Sequence, residues 1–117
     1  MRLNEVTYTD ALPVDGYGAG FFRIGGEVRQ GAQAILPGGV TAWGGFEDAQ
    51  TLLQARGMVD VLLIGTGAEV AHIPPNLRQT LEEAGIGLDI MASPQACRTY
   101  NVLLGEGRRV ALAVLPT

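Results

Sequence analysis

The sequence predicts an α/β domain built on a mostly buried β-sheet, and three observations carry that prediction. From about residue 58 to 115 the pattern alternates strand, helix, strand, helix, strand. Two runs, Val59–Ile64 and Val110–Leu115, are apolar almost throughout, which suits strands covered on both faces. Glycine or proline stands at nearly every boundary between these segments, where helices stop and strands turn.

With 117 residues, 47% of them apolar and 17% charged, the chain fits one domain over 1–117. A core of this size needs no disulfide or metal staple.

Each element has its own signature. Leu3–Tyr8 reads as a strand and Pro13–Gly20 as a glycine-dense turn. Phe21–Ile24 is a short strand, and Gly25-Gly26 turns it into a hairpin with Glu27–Gln30. Ala32–Leu36 is an apolar run stopped by Pro37-Gly38-Gly39. Phe46–Arg56 has helical spacing, with Phe46, Ala49 and Leu53 on one face, Leu52 beside them and Gly57 as its stop. Pro74-Pro75 opens a helix over Asn76–Ala84, with Leu77, Leu81 and Ala84 as its buried stripe. Ile86–Ile90 alternates as an edge strand would. Ser93-Pro94 is an N-cap followed by a first-turn proline, and the helix Pro94–Leu104 turns Ala96, Tyr100, Leu103 and Leu104 inward. The last strand, Arg109–Leu115, reads as central.

Composition narrows the chemistry. Net charge is −4, and all eight basic residues are arginine. Without lysine there is no Schiff base, no pyridoxal-phosphate anchor and no P-loop. Scattered arginines on an acidic chain argue against a nucleic-acid groove. One cysteine, Cys97, and one histidine, His72, are too few for a zinc site without carboxylates, so no cofactor or metal is expected. The first residues lack a signal-peptide pattern and no apolar run approaches ~20 residues, so a bacterial cytoplasmic location without membrane insertion is expected.

Five constellations have chemistry or contacts to weigh. Gly65-Thr66-Gly67 follows a buried strand, where open α/β sheets bind ligands and backbone N–H groups cradle anions. Its spacing fits neither dinucleotide nor P-loop patterns, so a tight strand exit is the better reading. Gly16–Gly20 lacks the following helix that a phosphate loop needs. Cys97 falls in the first turn of its helix beside Arg98, and with His72 would form the one thiol–imidazole dyad available, against the plainer reading of a small buried hydrophobe. Arg98 and Asn101 share a helical face fit for a carboxylate, a partner loop or nearby backbone groups. Trp43 and Phe46 flank Gly44-Gly45 and read as core packing ahead of a contact patch.

Three runs, taken in order, carry a resemblance. Gly16-Tyr17-Gly18-Ala19-Gly20-Phe21-Phe22-Arg23-Ile24-Gly25-Gly26 comes first. Leu63-Ile64-Gly65-Thr66-Gly67 is second, and third is Cys97-Arg98-Thr99-Tyr100-Asn101-Val102-Leu103-Leu104 followed by Glu106-Gly107-Arg108-Arg109-Val110. Together they resemble the domain of unknown function 498 family, which includes a mitochondrial respiratory complex I assembly factor. The resemblance implies a three-layer fold around a central mixed sheet of about five strands in the order 2-1-5-3-4, with the last strand antiparallel and further N-terminal β-structure. A simple right-handed crossover would make that last strand parallel instead. The family supplies no catalytic residues.

The expected function is therefore a non-catalytic binding protein, aiding assembly of a complex I-like respiratory membrane complex. Its partners would be respiratory subunits or assembly factors, and the chain itself a monomer or weak homodimer. The alternative is a small-molecule or anion-binding domain, or a thiol-dependent enzyme, sited near Gly65–Gly67, Arg98 and Cys97. The candidate binding residues are Gly65, Thr66, Gly67, Arg98, Thr99, Asn101 and Arg23.

Overall fold

The structure is a computed structural model that describes residues 12–117. The strand expected at Leu3–Tyr8 lies outside the described residues. Eight strands and three α-helices follow in chain order: β1 (Val14–Gly18), β2 (Phe21–Ile24), β3 (Glu27–Gln30), β4 (Gln33–Leu36), β5 (Gly39–Ala42), α1 (Ala49–Leu53), β6 (Val61–Gly65), α2 (Pro75–Glu83), β7 (Leu88–Met91), α3 (Ser93–Gly105) and β8 (Val110–Val114). They build a three-stranded antiparallel sheet, β1-β2-β3, and a five-stranded mixed sheet, β5-β4-β8-β6-β7.

Numbered within the large sheet, that is the order 2-1-5-3-4. The direction of the last strand differs from the family-based expectation. β8 runs parallel to β6, with Leu63 opposite Leu112, and β6 runs parallel to β7. The reversed strand is β4, antiparallel to both of its neighbours. The physical reason is the crossover: a helix carries the chain from the end of β7 back to the start of β8, which leaves β8 parallel.

From β6 the chain steps outward to β7 through α2, then back across β6 to β8 through α3. Reversing the direction of winding while keeping its hand moves the helix to the other face of the sheet. The core divides accordingly. On one face α1 and α2 bury Leu52, Leu77 and Leu81 against Leu62, Ile64, Ala111 and Ala113. On the other, α3 and the small sheet bury Ala96, Cys97, Tyr100, Phe22 and Ile24 against Leu63, Leu112 and Val114. β6 and β8 are central and β7 is an edge strand.

Local chemistry explains where elements depart from the sequence reading. Pro13–Gly20 is not all turn, since Val14–Gly18 pairs with β2 and only Ala19-Gly20 turn. Gly39–Ala42 continues past the Pro37–Gly39 stop as β5. The helix expected over Phe46–Arg56 is broken in two, a 3-10 turn at Gly45–Glu47 and then α1. Asp48 causes the break. Its backbone leaves the helical region, and its carboxylate accepts from Thr51 N–H (3.1 Å), Thr51 Oγ1 (2.6 Å) and Gly44 N–H (2.9 Å). Capping here starts a new helix instead of continuing the old one. Leu52 and Ala55 are then fully buried while Phe46, Ala49 and Leu53 are half-buried. Trp43 is core, its indole edge-to-face with Phe46 and its N–H donating to the Asp48 carbonyl at 3.1 Å.

Candidate functional site

The sheet changes winding direction between β6 and β8, and in open α/β sheets the crevice beyond the carboxyl ends at such a point is where ligands bind. Gly65-Thr66-Gly67 leads out of β6 at this end, and the first turn of α3 stands beside it. The expected strand exit is there, but its polar groups are engaged. Thr66 N–H donates to the Met91 carbonyl at 2.9 Å. Thr66 Oγ1 donates to the Glu69 carbonyl at 2.8 Å and accepts from Ala71 N–H at 3.0 Å. Gly67 N–H donates to Ser93 Oγ at 2.9 Å, and the Gly67 carbonyl accepts from Ser93 N–H at 2.8 Å.

Ser93 is the centre of this arrangement. It is fully buried, and its hydroxyl also donates to the Leu115 carbonyl at 2.6 Å. Leu115 N–H in turn donates to the Gly65 carbonyl at 3.0 Å. The residues just after β8 are thus tied to this end of the sheet. Gly65 has to be glycine because a Cβ there would lie 2.7 Å from Ser93 Cα and 2.8 Å from Val114 Cγ1. Gly67 holds φ at +105°, a conformation open to glycine. Ser93 was legible in sequence as an N-cap. The structure instead makes Ala92 the cap and spends the hydroxyl between three loops.

The other candidate residues separate. Asn101 turns to β1, where its Oδ1 accepts from Val14 N–H (2.9 Å) and its Nδ2 donates to the Val14 carbonyl (2.8 Å). It thereby completes the edge of β1 as a neighbouring strand would. Tyr100, which the sequence reading treated only as a core residue, donates its hydroxyl to the Leu12 carbonyl at 2.9 Å. Arg98 is exposed and Thr99 half-buried on α3, and Arg23 is exposed on β2. Among the described residues no hydrogen bond links Arg98 or Arg23 to the Gly65–Gly67 turn.

Cys97 is buried at 2% exposure in the α3-side core, and burial pushes its thiol up to about 11 despite Arg98. His72 is exposed in the loop between β6 and α2. A thiol kept neutral in an apolar core is not a nucleophile near neutral pH. Beside the Thr66 loop lies a depression of about 210 Å³ lined by Val70, Ala71, His72, Arg78 and Ile90. Val70 stands 65% exposed at its rim. Among the described residues no cluster of three metal-ligating side chains occurs, and no helix is long and apolar enough to cross a membrane.

The family described as "Protein of unknown function (DUF498/DUF598)" matches residues 14–115. The chain belongs to this family. An uncharacterised protein of Rhodobacter capsulatus is 47% identical over 99% of this chain and 94% of its own length. The Homo sapiens NADH dehydrogenase [ubiquinone] 1 alpha subcomplex assembly factor 3 is 30% identical over 91% of this chain. The match spans 61% of that assembly factor's length. Among solved structures, an outer membrane protein of Bartonella henselae superposes with a TM-score of 0.83 at 37% identity, over 90% of this chain and 94% of that one. A Bordetella pertussis protein described as an Mth938-like domain superposes with a TM-score of 0.74 at 30% identity, over 99% and 92% respectively. The fold is therefore Mth938-like.

Proposed function

We propose that this chain is a non-catalytic binding protein that assists assembly of a respiratory, complex I-like membrane complex. The observation that carries the reading is the likeness to assembly factor 3 across 91% of the chain. The geometry supports it. The polar groups at the switch point hold the chain's own loops together, and the one thiol is buried and neutral. Val70, 65% exposed beside the depression lined by Ala71, His72, Arg78 and Ile90, gives a position from which a bound partner can be captured.

Deletion of the gene in its native host tests this. The expected result is a lower level of assembled complex I on native gels, restored by the wild-type chain. Site-specific crosslinking from position 70 should then capture identified complex I subunits or assembly factors. Unchanged complex I levels in the deletion strain would end the proposal.

A further inference from the structure

Among the described residues, β3 presents an outer edge of the small sheet whose charge order is self-complementary. β3 is an outer strand of β1-β2-β3, and its sequence is Glu27-Val28-Arg29-Gln30. It joins β2 through Gly25-Gly26, both at positive φ (57° and 88°), as a two-residue hairpin requires. In such a hairpin the closing pair, Ile24 and Glu27, exchanges both hydrogen bonds, so the next pair, Arg23 and Val28, does not. The N–H and C=O of Val28 therefore point away from β2. Gln30, two residues on, shows the same parity, since its carbonyl accepts from the Gln33 side chain at 2.9 Å.

We infer that β3 pairs antiparallel with β3 of a second copy of this chain about a two-fold axis through Val28. On that axis Val28 N–H donates to the other Val28 carbonyl and receives the reciprocal bond, the two-fold arrangement that an isologous interface demands. In this register Glu27 of each copy stands opposite Arg29 of the other. The flanking positions are non-hydrogen-bonded, where facing side chains come closest. Glu27 and Arg29 already lie within 3.9 Å of each other in one chain, so pairing makes a square of alternating charges. Val28 is 51% exposed on the opposite face of the strand and meets its own copy there.

Charges on an edge strand ordinarily keep copies apart. Here the order of the charges makes them complementary under two-fold symmetry. Among the described residues the other outer strands lack this pattern, β1 carrying Asp15 alone. β7 has only Asp89, which is acidic in both copies, and β5 (Gly-Val-Thr-Ala) has no charge. Four residues of edge bury far less than the roughly 1,600 Å² of a stable interface, so the dimer is weak and concentration-dependent.

Sedimentation equilibrium over a wide concentration range reads it out. Wild type should show a monomer–dimer equilibrium. Glu27→Arg and Arg29→Glu should each raise the dimer Kd by about tenfold or more, because symmetry turns two attractions into two repulsions. The two variants mixed in equal amounts should associate again, and so should the double variant E27R/R29E. Val28→Lys, whose side chain is half in solvent, is a further disrupting variant, and circular dichroism checks that each is folded. Wild type that stays monomeric at its highest soluble concentration overturns the inference. So do single variants that dimerise as wild type does, and a mixture that fails to associate.

Discussion

At the scale of single residues, polar side chains here hold segments distant in sequence. Ser93 joins the exit of β6, the start of α3 and the tail after β8 through one buried hydroxyl. Ser93→Ala leaves Gly67 N–H and the Leu115 carbonyl without that partner. The expected cost is about 2–3 kcal/mol in urea unfolding, with faster amide exchange at Gly67. A loss below a few tenths would show that the hydroxyl is dispensable. Cys97 gives a pH prediction. Its folded thiol titrates near 11, above the ordinary thiol range, so the unfolded chain loses that proton first as pH rises. The stability it contributes is complete below the ordinary thiol range and fades as pH climbs toward about 11. Burial also raises the Tyr100 phenol, which works in the same direction at higher pH. Melting temperature should fall through this alkaline window, and Cys97→Ala should flatten the first part of the fall. At neutral pH iodoacetamide should label Cys97 only as fast as the protein opens.

At the scale of elements, the sequence was legible wherever burial was two-sided or a terminator was chemical. Val61–Gly65 and Val110–Val114 are the central strands their apolar runs announce, and Gly25-Gly26 makes the hairpin. The alternation read over Ile86–Ile90 marks an edge strand, which the structure places at Leu88–Met91. What escaped depends on contacts distant in sequence. The glycines of β1 hide a strand whose edge is completed by Asn101, 87 residues away. Arg98 and Asn101 share a helical face by spacing, yet β1 draws Asn101 in while Arg98 stays exposed. Helical periodicity continues through Asp48, but the carboxylate's bonds to Gly44 and Thr51 override it and start α1 afresh. These hydrogen bonds, Thr51's hydroxyl first, hold the Asp48 carboxyl below its ordinary range. Asp48→Ala should therefore cost about 1 kcal/mol in thermal or urea melts, as lost caps do. For wild type, the cap's contribution is present above the ordinary carboxylate pKa and is lost as pH falls through the depressed value. The difference between the two proteins should shrink in strong acid.

At the scale of the whole molecule, the question is how the small sheet is held to the large one. Phe22, Ile24 and Val14 share one buried cluster with Ile35, Leu63 and Leu112, so apolar packing is continuous across the two sheets. The directional part of the attachment is narrower. Among the described residues, three hydrogen bonds come from two adjacent residues of α3, Tyr100 to Leu12 and Asn101 to both backbone groups of Val14, and one from Gln33 of β4 to the Gln30 carbonyl of β3. Burial of Tyr100 at 1% exposure and the apolar cluster supply most of the attraction. The three hydrogen bonds fix the register of β1 against the helix. Asn101→Ala in a Tyr100→Phe background removes them with little loss of apolar contact. The expected loss is about 2–4 kcal/mol, and it should not be shared evenly. Native-state hydrogen exchange should show β1–β3 opening at lower free energy, ahead of β6 and β8, which keep opening only with global unfolding. Phe22→Ala makes the contrast. It empties a core site facing both sheets, should cost about 3–5 kcal/mol, and should lower protection in the two sheets together. If the Tyr100 and Asn101 substitutions instead lower protection uniformly, the two sheets are one cooperative unit and the α3 bonds are not the attachment's local control.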